Sequence, residues 1–420
     1  MSTPIRILVP PSKSFTHRAM VIGALAAPGT VIQSPLWAED TQLTAKGLEA
    51  LGVQWAYEST GLRVQNVIPP SRPIRLFAGN SGTTVRFLTA LAALLSPYEV
   101  QLDGTPRMRQ RPLQPLLSAL EQMGAQIRST NGFLPISIVG GSLRPGRVVM
   151  PGHISSQFLS ALLFVAARLS GTTLIELSTP LVSAGYLRMT QWFLEQSGIE
   201  VSWQSEHEVM ITSDGAPLPA QTWTVERDWS AAAFWIVGAL IAERPVILPQ
   251  LQYNSLQSDS TIVELLQNAG ASLQWNGNEL LIDGSCQQGI DVSLRNIPDL
   301  FPALAVYAAC AHTPSRFRDF QHLRWKESDR IKAVVENLQR IGAQVTSRKN
   351  EIIITPANAI HPATIRTYND HRIAMAFGLL KLRNPHIQLD DPACVRKSYP
   401  EFWKHRELLT SSANVSETSS

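Results

Sequence analysis

Lysines, arginines, acids and hydroxyl residues recur in short clusters along this 420-residue chain, in combinations suited to holding phosphate and carboxylate groups and moving protons between them. Lys13 lies between Ser12 and Ser14, with Arg18 about one helical turn further on, so charge and hydroxyls can grip one anion together. Arg107, Arg109 and Arg111 are bracketed by Pro106 and Pro112. Guanidinium groups match the planar face of a carboxylate or phosphate in a way that lysine does not. Arg111, which leads into the next helix, is the expected ligand contact, and at least one of the other two is expected to be solvated. Lys326, Glu327 and Arg330 lie within five residues, and Asn369-Asp370-His371-Arg372 forms a further cluster. Ser155, Ser156, Gln157, Ser183 and Tyr186 add neutral donors that suit a polyhydroxylated, phosphorylated ring. Asp299 and Glu327 are the acids available as proton carriers, with His371 a third.

Each cluster alone has a plainer explanation. Ser12-Lys13-Ser14 and Asn80-Ser81-Gly82-Thr83 could be ordinary caps and turns. Lys326 and Glu327 could form a surface pair worth under about 1 kcal/mol. His371 could sit exposed beside a cap. What favours chemistry is that all the clusters fall at two phases of one repeat. No His, Asp or Glu set has metal-ligand spacing, and neither a Gly-x-x-x-x-Gly-Lys loop nor a Gly-x-Ser-x-Gly elbow occurs. The expected chemistry is acid/base and electrostatic, with no metal and no organic cofactor.

The elements that position these residues are spelled by glycines. Gly52, Gly124, Gly198, Gly270 and Gly342 each follow a helix-like segment, at intervals of 72, 74, 72 and 72 residues. Glycine there supplies a left-handed C-cap before the chain enters a strand. About forty residues before each glycine a polar cluster opens an apolar run, as at Ser12, Asn80, Ser155, Asp228 and Pro298, and Asn369 begins a sixth. Runs such as residues 87–95 and 231–240 are apolar nearly all round and predict buried inner helices; the second helix of each repeat carries more charge and should lie outside. A second polar loop precedes each outer helix and holds Arg111, Ser183, Lys326 and, in the sixth repeat, Lys397. If equivalent positions meet on one face, six helix N-termini and these loops form a common anion-attracting site.

A chain of this length should divide into two domains, most simply with three repeats each. Charged residues are 16%, against about 25% in typical domains, and hydrophobics are 44%. The net charge of +3 argues against a general nucleic-acid or membrane binder. Cys286, Cys310 and Cys394 form no Cys-x-x-Cys pair, and the first residues lack the pattern of a signal peptide. No apolar run is long enough to span a bilayer. A reducing cytosol is the expected location. Residues 411–420 are polar and read as a disordered tail.

Taken in order, Ser12-Lys-Ser14 with Arg18, Gly79-Asn-Ser-Gly-Thr83, Pro106-Arg-Met-x-x-Arg-Pro112, Ser155-Ser-Gln157, Lys326-Glu-Ser-Asp-Arg330 and Asn369-Asp-His-Arg372 identify a resemblance to the EPSP synthase family of enolpyruvyl transferases, from about residue 5 to about residue 405. The resemblance implies an α/β fold of two inside-out α/β barrel domains, each of three βαβαββ repeats, with helices inside and sheets outside. It implies a discontinuous first lobe, residues 1–12 plus 226–410, a second lobe, residues 13–225, and a site in the cleft between them. By the same resemblance Lys13, Ser14, Arg18, Ser155, Ser156, Gln157, Ser183, Tyr186, Asp299 and Lys326 hold shikimate 3-phosphate. Phosphoenolpyruvate meets Lys13, Gly82, Arg111, Gln157, Arg330, His371, Arg372 and Lys397. Asp299 is assigned to the hydroxyl proton and Glu327 to the methylene proton, with Lys13 as an alternative carrier for either.

Some positions depart from the family pattern. Pro11 stands for a common glycine, Thr16-His17 for Ser-Asn, Ala184-Gly185 for a basic residue and proline, and Arg227-Asp-Trp229 for a stretch richer in glycine and serine. None removes a proposed catalytic group, though Gly185 makes its loop less preorganised. The sister reaction on UDP-N-acetylglucosamine is the alternative, but that family carries a cysteine in its arginine loop and residues 105–112 contain none. A repeat clamp around nucleic acid would need basic residues on the inner helices, which are apolar. The expected protein is a monomer that opens when free, closes on the acceptor, and is inhibited by the phosphonate glyphosate in competition with phosphoenolpyruvate.

Overall fold

Five of the six expected helix starts are closed by a side chain that accepts a hydrogen bond from the first turn: Ser12 from Phe15 N, Ser81 from Thr84 N, Ser155 from Gln157 N, Asp228 from Ala231 N and Asp370 from Arg372 N. The sixth instead enters through a 3-10 turn at Pro298–Leu300, with Pro302 in the first helical turn. A computed structural model describes residues 3–410; the tail expected to be disordered, 411–420, lies outside the described residues. Along the chain the helices come in pairs: α1 (Lys13–Leu25) and α2 (Glu39–Ala50), α3 (Gly82–Leu95) and α4 (Gln114–Gln122), α5 (Ser156–Ala166) and α6 (Ala184–Gln196). The second half repeats the pattern with α7 (Trp229–Ala242) and α8 (Ile262–Asn268), α9 (Phe301–Cys310) and α10 (Arg330–Arg340), α11 (His371–Gly378) and α12 (Phe402–Leu408).

The first helix of each pair is buried on nearly every side. In α7 the consecutive residues Phe234, Trp235, Ile236 and Val237 are all fully buried, each worth roughly 1.5–3 kcal/mol on burial. The second helices keep one exposed, charged face, as in α10. The five marker glycines do end the outer helices, with φ between 81° and 110°. At Gly52 a Cβ would also lie 1.9 Å from Ile68 O, so only glycine fits.

Five four-stranded sheets share one plan: a parallel pair joined to an antiparallel hairpin. In one of them Ile74–Phe77 runs parallel to Val100–Asp103, which pairs antiparallel with Phe133–Val139, which in turn pairs with Gln126–Thr130. The sixth unit corrects the expectation of six complete repeats. Among the described residues it has only the pair Thr364–Ile365 with Gln388–Leu389, and no hairpin after α12. Its sequence explains this, because the residues beyond Leu408 are rich in Ser and Thr and lack an alternating apolar pattern. The six sheets are not hydrogen-bonded to one another among the described residues, so each barrel is a wrapping of sheets around helices rather than a closed ladder.

Two hydrophobic cores are distinct. One holds Ile7, Val9 and residues from Trp229 to Leu409, and the other runs from Phe15 to Val225. We refer to them as the first and second lobes. Each lobe borrows a strand from a remote part of the chain: Ile5–Arg6 pairs with Val246–Ile247, and Thr222–Thr224 pairs with Val31–Gln33. The two connecting segments therefore cross side by side, with Ser12 N donating to Glu226 O at 2.7 Å and Asp228 N to Pro10 O at 2.9 Å.

Candidate active site

The starts of α1, α3 and α5 in the second lobe face the start of α9 and the loop before α10 in the first. Lys13, Ser14, Gly82, Thr83, Arg86, Arg111, Ser155, Ser156, Gln157, Ser183, Tyr186, Asp299, Lys326 and Glu327 line one cavity between them. Arg18, Arg330, His371, Arg372 and Lys397 stand behind this lining. Arg18 is buried and donates to Thr190 Oγ1, Ser14 O and Tyr186 O at 2.8–3.0 Å. Lys397 Nζ donates to Asn80 O at 2.7 Å, linking the lobes.

On the second-lobe side Gln157 is fixed from both ends, donating to Thr83 Oγ1 at 2.8 Å and accepting from Arg86. The Arg86 guanidinium lies 5.0 Å from the centre of the Phe158 ring, and its Nε has no hydrogen-bond partner. Lys13 Nζ sits 3.0 Å from Asp40 Oδ2, and Lys397 Nζ is 3.9 Å from the other oxygen of the same carboxylate. Arg111 is only 2% exposed, and a Cβ at Gly82 would lie 2.4 Å from its Nη2. The three loop arginines have separate fates: Arg111 is buried, Arg109 is an exposed partner of Asp103, and Arg107 reaches the opposite lobe.

The first-lobe side is a web of ions. Arg330, 1% exposed, contacts Asp299 at 2.6 Å, Glu327 at 2.7 Å and Asp370 at 2.9 Å. Arg372 lies 3.0 Å from Asp299, Lys326 lies 3.9 Å from it, and Tyr186 Oη donates to it at 2.9 Å. Burial alone would raise the pKa of Asp299, but Arg372, Lys326 and Arg330 together hold it well below the usual carboxylate range. Glu327 is likewise held well below it against burial, by Arg330, Lys397, Arg111 and Lys13. Burial brings the Lys326 ammonium down to about 8, although Asp299 opposes the change. His371 is buried rather than exposed; its ring nitrogens have no hydrogen-bond partner among the described residues, although Nδ1 lies 3.9 Å from Asp370 Oδ1, and burial with nearby Lys13 and Arg372 holds its pKa well below the usual range. Burial pushes Asp259, beside Asp299, up to about 7.

Ser183, Tyr368 and Asn369 have φ between 52° and 56°, a left-handed conformation that costs non-glycine residues roughly 1–3 kcal/mol each. Ser183 is a candidate site residue, and Tyr368 and Asn369 directly precede the cap of α11. Sequence reasoning missed Arg86, which could have been found as the one charge in the otherwise apolar or neutral helix α3. Glu39-Asp40 falls at the phase of the second polar loop, but the sequence reading does not assign Asp40 to the site.

Residues 5–405 match the profile of the family described as EPSP synthase (3-phosphoshikimate 1-carboxyvinyltransferase). The chain is 37% identical over 418 residues to 3-phosphoshikimate 1-carboxyvinyltransferase of Syntrophobacter fumaroxidans, covering 97% of each. It is 36% identical over 402 residues to the protein of that name in Nostoc punctiforme, covering 94% of each. Its fold superposes on a solved structure of EPSP synthase from Acinetobacter baumannii with a TM-score of 0.76, at 27% identity over 96% of this chain and 94% of that one. Motifs, architecture and relatives agree: the chain belongs to the EPSP synthase family.

Proposed function

We propose that this protein transfers the enolpyruvyl group of phosphoenolpyruvate to the 5-hydroxyl of shikimate 3-phosphate, releasing phosphate, on the route to chorismate and the aromatic amino acids. The observation that carries this reading is the cavity itself, where buried cations from both lobes surround two ionised carboxylates. Such a set suits a substrate that brings its own phosphate and carboxylate charges. Ser14, Arg18, Ser155, Ser156, Gln157, Ser183, Tyr186, Asp299 and Lys326 hold the acceptor in this scheme. Lys13 serves both substrates, and Gly82, Arg111, Gln157, Arg330, His371, Arg372 and Lys397 hold the donor.

The donor's charge also explains how an ionised Glu327 can act as an acid. The cations that depress its pKa are the groups assigned to the donor, so a bound phosphate and carboxylate offset them and let Glu327 carry a proton. Glu327 then protonates the donor methylene. The acceptor hydroxyl attacks the resulting cationic carbon and passes its proton to Asp299, forming a tetrahedral intermediate. Phosphate leaves with the proton that Asp299 had accepted, as the methyl group returns a proton to Glu327. Arg330 and Arg372, which hold Asp299 in this structure, must share themselves with the donor carboxylate; that exchange would make Asp299 a better base.

We also propose the lobe division 1–12 plus 226–410 and 13–225, a cytoplasmic location, and action as a monomer. No helix among the described residues is long and apolar enough to cross a membrane. The UDP-N-acetylglucosamine reading is weaker, since the free cysteines lie at 286, 310 and 394 and none is in the arginine loop. The test is phosphate release from phosphoenolpyruvate, in wild type and Glu327→Gln, with each acceptor in turn. Release that depends on UDP-N-acetylglucosamine, or on neither acceptor, would reject the assignment.

A further inference from the structure

Arg107 does not line the cavity, yet its guanidinium crosses the cleft to the loop that carries Lys326 and Glu327. It donates to Arg324 O at 2.9 Å, Lys326 O at 3.1 Å and Glu327 O at 3.3 Å. Arg111 Nε donates to the one carbonyl left between them, Trp325 O, at 2.9 Å. Four consecutive carbonyls of the first lobe are thus held by two arginines of the second. Among the described residues no carboxylate pairs with Arg107, whose other contact is Gln110 Oε1 at 3.4 Å. A charged donor spent mainly on backbone carbonyls across an interface fixes peptide planes rather than neutralising a charge.

We infer that Arg107 is a positioning residue, an interlobe latch that orients the 324–327 loop so that Lys326 and Glu327 face the cavity when the lobes are together. Fixing the carbonyls of 326 and 327 sets the direction in which each side chain leaves the loop. Arg111 does the same for one carbonyl, but it also lines the cavity and cannot be changed without touching the site. Arg107 separates the two effects. Its bonds exist only while the lobes touch, so closure and the alignment of Glu327 are one event. This inference rests on the enolpyruvyl-transfer reading above.

The test compares Arg107→Ala and Arg107→Lys with wild type. For Arg107→Ala we expect kcat/KM for phosphoenolpyruvate to fall about ten- to a hundredfold, the size of a misplaced catalytic group. The Kd for shikimate 3-phosphate alone should rise by a smaller factor, since Lys326 is one of several groups assigned to the acceptor, and the thermal midpoint of the free protein should be unchanged, because each lobe has its own core. Arg107→Lys, which keeps a donor but not the fork, should recover part of the loss. Amides of residues 323–330 should gain hydrogen-exchange protection on adding both substrates in wild type and not in Arg107→Ala. A kcat/KM within about twofold of wild type, or equal losses for both substrates with a lowered thermal midpoint, would overturn the latch. If wild type proves inactive with these substrates, the activity reading fails by itself. Exchange of residues 323–330 with saturating inorganic phosphate, an anion that can fill the cationic cleft and draw the lobes together, then decides the latch: faster exchange in Arg107→Ala supports it, and equal rates reject it.

Discussion

On the side of the cleft built from α1, α3 and α5, the wall is mainly hydroxyl and amide groups, with Lys13, Arg86 and Arg111 set among them. On the side built from α9, α10 and α11 the groups are almost all ionic, joined through Arg330 and Asp299. Neutral donors recognise shape at little desolvation cost, whereas buried ions carry large energies that shift when a charged ligand enters. The second lobe is thus built to recognise and the first to respond. Helix caps make the difference possible, since Ser81 and Ser155 present hydroxyls where Asp370 presents a carboxylate.

The sharpest way to break this contrast is to neutralise the responding side. Glu327→Gln should lower kcat by about 10²–10⁴-fold, while the Kd for shikimate 3-phosphate changes little, as measured by turnover and calorimetry. A comparable loss in acceptor affinity would show that the first lobe recognises as much as it reacts. Next in size is a change on the recognising side. Gly82→Ala places a Cβ against the Arg111 guanidinium, so it should weaken glyphosate inhibition by about ten- to a hundredfold and raise KM for phosphoenolpyruvate less. Unchanged inhibition would put the donor elsewhere.

Much of this contrast is legible in the amino-acid sequence itself. Ser12, Ser81, Ser155, Asp228 and Asp370 read as caps, and the five-glycine phase together with the sixth polar cluster at Asn369 gives six helix pairs. Its place before the next helix marks Arg111 as the expected ligand contact, but local pattern does not separate Arg107 from Arg109. Their fates depend on Asp103 nearby and on a loop more than two hundred residues away. The same limit hid the convergence of Arg330 and Arg372 on Asp299, and it left Arg86 looking like part of an inner helix. The sixth unit differs for another reason: its first helix has the full signature, but residues 409–420 carry no alternating apolar pattern.

Two smaller tests use pH to sharpen the comparison. If protonated Lys326 is needed to hold the acceptor, kcat/KM should decline above pH about 8, by about tenfold per unit. Lys326→Arg should move that limb upward, and a limb that stays in place would exonerate Lys326. Asp259 concerns stability. Its folded pKa, about 7, lies above the value of about 3.9 for an unfolded aspartate, so the native state binds more protons between these values and loses stability as pH rises through them. Asp259→Asn removes that loss. It should raise stability at pH 8 relative to pH 5 by on the order of 1 kcal/mol, measured by denaturant titration at both values.

The borrowed strands impose a timetable on a growing chain. Ile5–Arg6 emerges first, yet its pairing partner Val246–Ile247 is made about two hundred and forty residues later. At roughly 5–20 residues per second this leaves the segment unpaired for on the order of 10–50 s of synthesis. Thr222–Thr224, by contrast, completes its sheet with Val31–Gln33 as soon as it appears. The lobe from Phe15 to Val225 can therefore finish its tertiary structure while Ile5–Arg6 waits, and that segment is the one most open to chaperones and proteases.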